Sequence, residues 1–87
     1  MKICVQWVDT MFVARIEYWE HIFGVERQLL QSMIIANESI EAIQKALKFR
    51  FHQRFHSFEY IFKSGTIEDT ITKREWKIDS FGKKVIP

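Results

Sequence analysis

The sequence has few residues that break regular structure or build reactive loops. Its 87 residues include three glycines, one proline and one cysteine, Cys4. A lone cysteine excludes an internal disulfide, and three scattered glycines cannot build a glycine-rich phosphate-binding loop. So few breakers predict a chain that is mostly regular structure joined by short turns.

Long apolar runs are also absent. The longest span four residues, 11–14 and 33–36, whereas a membrane span needs about 20 residues. The first residues hold one lysine and reach Asp9 before any long apolar run, unlike a signal peptide. The lack of disulfides fits a reducing compartment. We therefore expect a soluble, cytoplasmic protein with no membrane partner.

Aromatic side chains, by contrast, are abundant. Hydrophobic residues make up 47% of the chain and aromatic residues 15%, including eight phenylalanines and three tryptophans. That content is enough for a compact core and argues against disorder. A chain of this length predicts one domain, 1–87, whose small core cannot easily hide every ring.

Period-two patterns predict strands before residue 37. Residues 3–7 and 12–19 alternate with a period of two and are rich in β-branched and aromatic types, and residues 28–36 resume as a strand that is apolar on both faces at its end, 33–36. Gly24 lies between the second and third of these segments and suits a turn. The alternative for 11–36 is one long helix, because several large apolar residues nearly fit a period of 3.6. Gly24 and the β-branched residues favour the strands.

A helix at about 38–56 is the clearest local prediction. Asn37 or Ser39 can cap it, Glu41 suits the positive end of its dipole, and basic residues follow toward the other end. Its apolar stripe consists of Ile40, Ile43, Leu47, Phe51, Phe55 and Phe58.

Beyond residue 56 the period returns to two. Residues 58–63 predict a strand, Ser64 and Gly65 a turn, and 66–72 the second strand of a hairpin. The alternative for 66–74 is a short helix with capping-box-like spacing.

A last strand at 75–79 would bury Trp76 and Ile78, and residues 82–84 have the composition of a tail. The predicted fold class is therefore α+β: a single domain with a mostly antiparallel sheet, in the order βββαβββ, packed against the long amphipathic helix.

Charge is unevenly distributed along the chain, although the net charge is only +2. Residues 9–41 hold six acids and two bases, whereas residues 42–56 hold four bases and no acid. The basic helix face comprises Lys45, Lys48, Arg50, His52, Arg54 and His56, with Phe49 among them. Cations neutralise phosphates and an exposed ring can stack on an unpaired base. Nucleic-acid binding through 45–56 is one functional hypothesis.

No catalytic or cofactor-binding pattern is present in the sequence. It contains no Gly-x-Ser-x-Gly, Gly-x-Gly-x-x-Gly or His-Glu-x-x-His motif. His52 and His56 are spaced for one helix face, but no neighbouring residue supplies a third metal ligand. Cys4 lies in a predicted strand among apolar residues, which favours an inert thiol. We expect neither catalysis nor a cofactor nor a metal.

The sheet face away from the helix is the leading candidate for binding a partner. Val13, Arg15 and Trp19 share one side of their strand, and Met33 is assigned to the same face. Phe49 presents a further ring on the helix. Exposed aromatic residues beside arginine are typical of interface anchors.

The leading hypothesis is therefore a small non-enzymatic protein-interaction module. Very short proteins without motifs, including many from phages and other mobile elements, often inhibit or regulate a larger protein or nucleoprotein. A second copy of the chain, giving a homodimer, is the other expected cover for the aromatic face.

Overall fold

The computed structural model describes residues 11–25, 27–53 and 58–86, which form a four-stranded sheet and one helix. The elements are β1 (Phe12–Ile22), β2 (Arg27–Asn37), α1 (Ile40–Phe51), β3 (Phe58–Asp69) and β4 (Glu75–Ile78). The strand order is β2-β1-β3-β4, and every pairing is antiparallel, as predicted. The strand predicted at 3–7, with Cys4, lies outside the described residues.

β1 and β2 form a long hairpin. They pair without a register shift from Phe12 opposite Asn37 to Ile22 opposite Arg27. Gly24, in the connection, has a φ of 90°, a left-handed conformation that favours glycine. The helical alternative for 11–36 is wrong, because the β-branched and aromatic side chains alternate between two sheet faces.

The start of α1 follows the predicted capping. Ser39 is the N-cap, and its hydroxyl accepts a hydrogen bond from the Ala42 N–H at 3.2 Å. The Asn37 side chain accepts one from the Ser39 N–H at 2.9 Å. Both candidate residues therefore satisfy backbone donors where the chain enters the helix.

The end of α1 comes earlier than the predicted 38–56. The helix stops at Phe51, and His52 has left the helical conformation. The Phe51 ring meets Phe62 of β3 edge-on at 5.5 Å between centroids, and the His52 ring stacks on Phe81 at 3.7 Å. Tertiary contacts therefore override the helical period at this end.

β3 runs straight through Ser64 and Gly65, so the turn predicted there is wrong. Its pairing with β1 shifts register between Glu17 and Tyr18, which marks a bulge in β3. Gly65 is buried, and a Cβ added to it would lie 2.7 Å from Cδ1 of Ile16. The glycine serves a close approach of side chains rather than a turn.

The actual turn follows Asp69. The Asp69 carboxylate accepts a hydrogen bond from the Ile71 N–H at 2.9 Å, and Lys73 adopts a φ of 65°. The hairpin strand predicted at 66–72 and the helical alternative at 66–74 are therefore both wrong. Among the described residues, two strands follow α1, whereas three were predicted.

The predicted tail is part of the folded structure. Gly82 is buried, and its carbonyl accepts a hydrogen bond from Nε2 of Gln44 at 3.2 Å. The Val85 N–H donates to the Lys77 carbonyl at 2.9 Å. Residues 83–85 therefore lie along the outer edge of β4.

The core lies between α1 and one face of the sheet. Ile43 and Leu47 of α1 are fully buried, as the apolar stripe predicts, whereas Phe58 from that stripe begins β3. The buried hydrophobic residues in the described part of the chain are Ala14, Ile16, Tyr18, Ile43, Leu47, Ile67 and Ile78. Within the described residues, no helix is long and apolar enough to cross a membrane.

Candidate protein-binding face and basic groove

The sheet face opposite α1, here called the outer face, is built by alternate residues of the strands. In β1 the buried Ala14, Ile16 and Tyr18 point to the core, so the intervening Arg15 and Glu17 point outward and are exposed. Since paired residues share a face, the register of β1 with its two neighbours defines the rest of this surface.

The centre of the outer face is an apolar row across three strands. Trp19 lies between Leu30 of β2 and Ile61 of β3, its directly paired neighbours. Leu30 is 50% exposed and Ile61 37% exposed, while Trp19 is half-buried. We call Leu30, Trp19 and Ile61 the outer row. Ile34, two positions beyond Ser32 on β2, is 67% exposed and extends the same surface.

Charged residues of both signs lie on the same face. The Arg15 guanidinium is 3.3 Å from the Glu68 carboxylate, and the Lys63 ammonium is 3.4 Å from the Glu17 carboxylate. Exposed pairs of this kind contribute little stability. Both pairs join β1 to β3 on one side of the outer row.

The structure separates the four residues predicted to bind a partner. Val13, Arg15 and Trp19 alternate along β1 on the outer face. Phe49 is 55% exposed but belongs to α1, which packs on the other side of the sheet. Met33 was assigned to the wrong face, because it is paired with Ile16 and packs against the core.

A second surface lies between α1 and the turn at 79–83. An open groove of about 690 Å³ runs there, lined by Lys45 and Lys48 of the helix and by Phe81 and Lys83 of the turn, with Glu41 also contributing. We call it the basic groove. Three lysines and one carboxylate give it a local excess of positive charge beside an aromatic ring.

His52 and Arg50 of the predicted basic face are held by other residues. His52 stacks on Phe81, and its Nε2 lies 2.9 Å from the Ser80 hydroxyl oxygen. The Arg50 guanidinium lies over the Tyr60 ring at 5.3 Å. Arg54, Phe55 and His56 lie outside the described residues. The part of the chain that the structure describes brings no three His, Cys, Asp or Glu residues together around a potential metal.

Sequence reasoning missed several residues of both surfaces. Leu30 and Ile61 have no local pattern that links them to Trp19, because only the strand register does so. Lys83 belongs to the predicted tail at 82–84, and Phe81 lies between that tail and the strand predicted at 75–79. Asp79 is the available signal for a turn there. Its carboxylate accepts hydrogen bonds from the N–H groups of Phe81 and Lys83, both at 2.9 Å, an arrangement typical of a turn.

Tyr18 belongs to an aromatic cluster at the end of α1. Its ring meets Phe51 at 5.6 Å and Tyr60 at 5.1 Å, both edge-on. Burial raises the pKa of the Tyr18 phenol above its ordinary value, and Tyr60 adds to the shift. The neutral phenol is therefore the form that the folded protein favours.

Tyr18 should make stability fall at high pH. Because its pKa is raised in the folded state, its contribution is fully present below about pH 10, the unfolded value, and is lost as pH rises through the folded pKa. Tyr18→Phe keeps the ring and should flatten the fall, measured by denaturant unfolding at pH 8 to 11. If the free energy of unfolding fell equally with pH in the variant and in wild type, Tyr18 would not be the origin of the pH dependence.

No protein-family model, curated protein or solved structure matches the chain. Its function is therefore inferred from the two surfaces described above.

Proposed function

We propose that the protein is a small non-enzymatic interaction module that binds a larger protein or nucleoprotein in the cytoplasm through its outer face. It would act as an inhibitor or regulator of the kind that phages and mobile elements encode. The observation that carries the proposal is the outer row, in which Leu30, Trp19 and Ile61 form a continuous apolar strip across three strands.

The energetics favour a partner for this surface. Covering a large apolar side chain yields about 1.5–3 kcal/mol, and Leu30, Ile34 and Ile61 are exposed enough to gain a substantial part of that. Trp19 has the residue type that most often dominates binding energy when it lies at the centre of an interface. The ion pairs of Arg15 and Lys63 would contribute to selectivity at the rim more than to affinity.

Substitution of the outer row is expected to abolish partner binding without unfolding the protein. Leu30→Lys and Ile61→Lys change two exposed side chains, so the fold should persist, whereas each loss from an interface centre lowers affinity by about thirtyfold or more. A photo-crosslinking residue at position 61, on β3 and away from the β2 edge, would capture the partner from its source cell. Affinity of wild type and variant for that purified partner is then compared by calorimetry.

The matched control is Phe49→Lys, which adds the same charge at an exposed position of α1. It should leave partner affinity unchanged. If Phe49→Lys weakens binding as much as the outer-row variant, or if the outer-row variant binds normally, the outer face is not the interface.

Nucleic-acid binding through the basic groove is the second candidate. It is favoured by the position of Lys83 and Phe81, which join Lys45 and Lys48 along one open channel. Cations beside an accessible ring form the usual surface for a single strand, where phosphates and bases are both contacted. Phe81 is 41% exposed despite its stack with His52.

If the basic groove binds nucleic acid, the affinity should fall with salt concentration and should depend on its three lysines. Changing Lys45, Lys48 and Lys83 together to Gln should weaken binding of a 20-nucleotide single strand and lower the salt slope by about 2, at roughly 0.7 per lost phosphate contact. Fluorescence anisotropy at several salt concentrations measures both quantities.

The matched control is a triple variant that removes the same charge outside the basic groove. Arg27, Lys63 and Lys77 are exposed and belong to strands, so their joint change to Gln should preserve most of the affinity. Equal losses for the two triple variants would mean that net charge, and not the groove, governs binding. No binding at low salt would exclude this function.

A further inference from the structure

The outer edge of β2 is a long, regular strand edge. Within residues 11–25, 27–53 and 58–86, β2 pairs with β1 on one side and with no strand on the other. It is 11 residues long, shows no register shift, and contains no proline or glycine. Arg27, at its first position, is its only charged residue. Such an edge lacks the features with which proteins usually prevent pairing between chains.

The opposite edge of the sheet is protected. β4 has only four residues, two of them charged, Glu75 and Lys77. Residues 83–85 also lie along it, with Ile78 paired to Lys84 and the Val85 N–H bonded to the Lys77 carbonyl. Of the two edges of the described sheet, the β2 edge is therefore the better suited to pairing between chains.

The sequence of β2 is complementary to itself in antiparallel orientation. With Ser32 at the centre, Leu30 falls opposite Ile34 and Leu29 opposite Ile35. The two residues of each pair are an even number of positions apart in β2. Outward residues therefore meet outward residues, and core-side residues meet core-side residues. All 11 positions of β2 find a partner in this register.

We propose that two copies of the chain pair along their β2 edges, antiparallel about a two-fold axis at Ser32, and form one eight-stranded sheet. An isologous contact of this kind is the commonest form of homodimer. About ten main-chain hydrogen bonds would form along the joined edges. The dimer does not depend on the function proposed above for the outer face.

The two helices leave room for this contact. α1 contacts both β2 and β3, the neighbours of β1, so it lies over the middle of its own sheet. Joining two β2 edges places the two β1 strands three strand spacings apart, about 14 Å. Packed helices need only about 8–10 Å between axes, so the copies do not collide on the core side.

The dimer would also enlarge the outer face. Leu30, at one end of the outer row, would meet Ile34 of the second copy, and the reverse pair would form beside it. The two rows would become one apolar surface centred on the axis. A partner with two-fold symmetry, or one with an extended apolar surface, fits that arrangement.

A disulfide at the axis tests the register directly. In full-length protein carrying Cys4→Ser, Ser32→Cys places two thiols opposite each other, where cross-strand Cβ atoms are about 4.5–5.5 Å apart. Gln28→Cys is the matched control, because its two copies would lie about 27 Å apart along the joined strands. Under mild oxidation at 10 µM, the disulfide-linked dimer should form at least about tenfold faster with Ser32→Cys than with Gln28→Cys.

Charge at the axis gives a reversible test. Ser32→Lys and Ser32→Glu each set like charges face to face and should raise the dimer dissociation constant by about fivefold. Mixing the two variants should restore dimers, as measured by light scattering after size exclusion, which also shows that both variants are folded.

Three results would overturn the dimer. The first is wild-type protein that stays monomeric at 100 µM. The second is equal oxidation rates at positions 28 and 32. The third is polydisperse aggregation that mixing the charged variants does not resolve into dimers.

Discussion

Leu47→Ala should lower the free energy of unfolding by about 2 to 5 kcal/mol. Leu47 is fully buried at the centre of α1, where it packs among Ile43 and the sheet residues of the core. A domain of this size has a total stability of only about 4–13 kcal/mol. The cavity is expected to be costly because Leu47 is closely packed in the core, where neighbours such as Ile43 and Ile67 are themselves fully buried and relax only in part.

Urea unfolding followed by circular dichroism measures this loss. Lys48→Ala, at the next position of α1, is the control, because it is exposed and alanine supports the helix at least as well. The control should stay within about 0.5 kcal/mol of wild type. If Leu47→Ala were equally mild, α1 would not be packed on the sheet as described.

The elements defined by local patterns were predictable from the sequence. Period-two alternation identified the strands of the first hairpin, and Gly24 placed their connection. The start of α1 follows from short-range hydrogen bonds of Asn37 and Ser39, which involve residues two and three positions away. Each of these signals is complete within a few residues, so no knowledge of the tertiary fold is needed.

The elements defined by distant contacts were not predictable in the same way. The end of α1 depends on Phe62 and Phe81, which approach Phe51 and His52 only after the chain has folded. The buried position of Gly82 likewise depends on its contact with Gln44 of α1. Local composition gives such residues the appearance of a longer helix or of a tail.

The candidate surface shows the same division. Alternation alone placed Val13, Arg15 and Trp19 on one side of a strand. The partners of Trp19, Leu30 and Ile61, follow from two strand registers that no local pattern specifies. The exposure of Phe49 can be anticipated from the helical period of α1. The face of the sheet on which α1 packs cannot, so the sequence groups Phe49 with residues of the opposite face.

The apolar outer face and the basic groove lie on opposite sides of the sheet. The outer row belongs to the strands, whereas Lys45 and Lys48 belong to α1, which covers the other face. One protein partner would contact one side at a time, but a nucleoprotein offers both apolar and phosphate surfaces. High salt would then weaken only the contribution of the groove, because apolar burial is not screened.

Gly65→Val should destabilise the protein by about 2 kcal/mol, although valine is the better strand former. Intrinsic strand preference favours valine by about 1 kcal/mol. Packing opposes it, because the first added carbon would already lie 2.7 Å from Cδ1 of Ile16 and 3.3 Å from Cγ1 of Ile78. Both side chains are buried, so relieving the overlap costs about 3 kcal/mol and packing prevails.

Ser64→Val separates these two effects. Ser64 is the preceding residue of β3 and is exposed, so valine there should be neutral or stabilising by up to about 1 kcal/mol. Thermal or urea unfolding of the two variants should therefore give opposite signs at adjacent positions. A stabilising Gly65→Val would show that the side chains of Ile16 and Ile78 can move aside at little cost, and that their close approach does not require glycine.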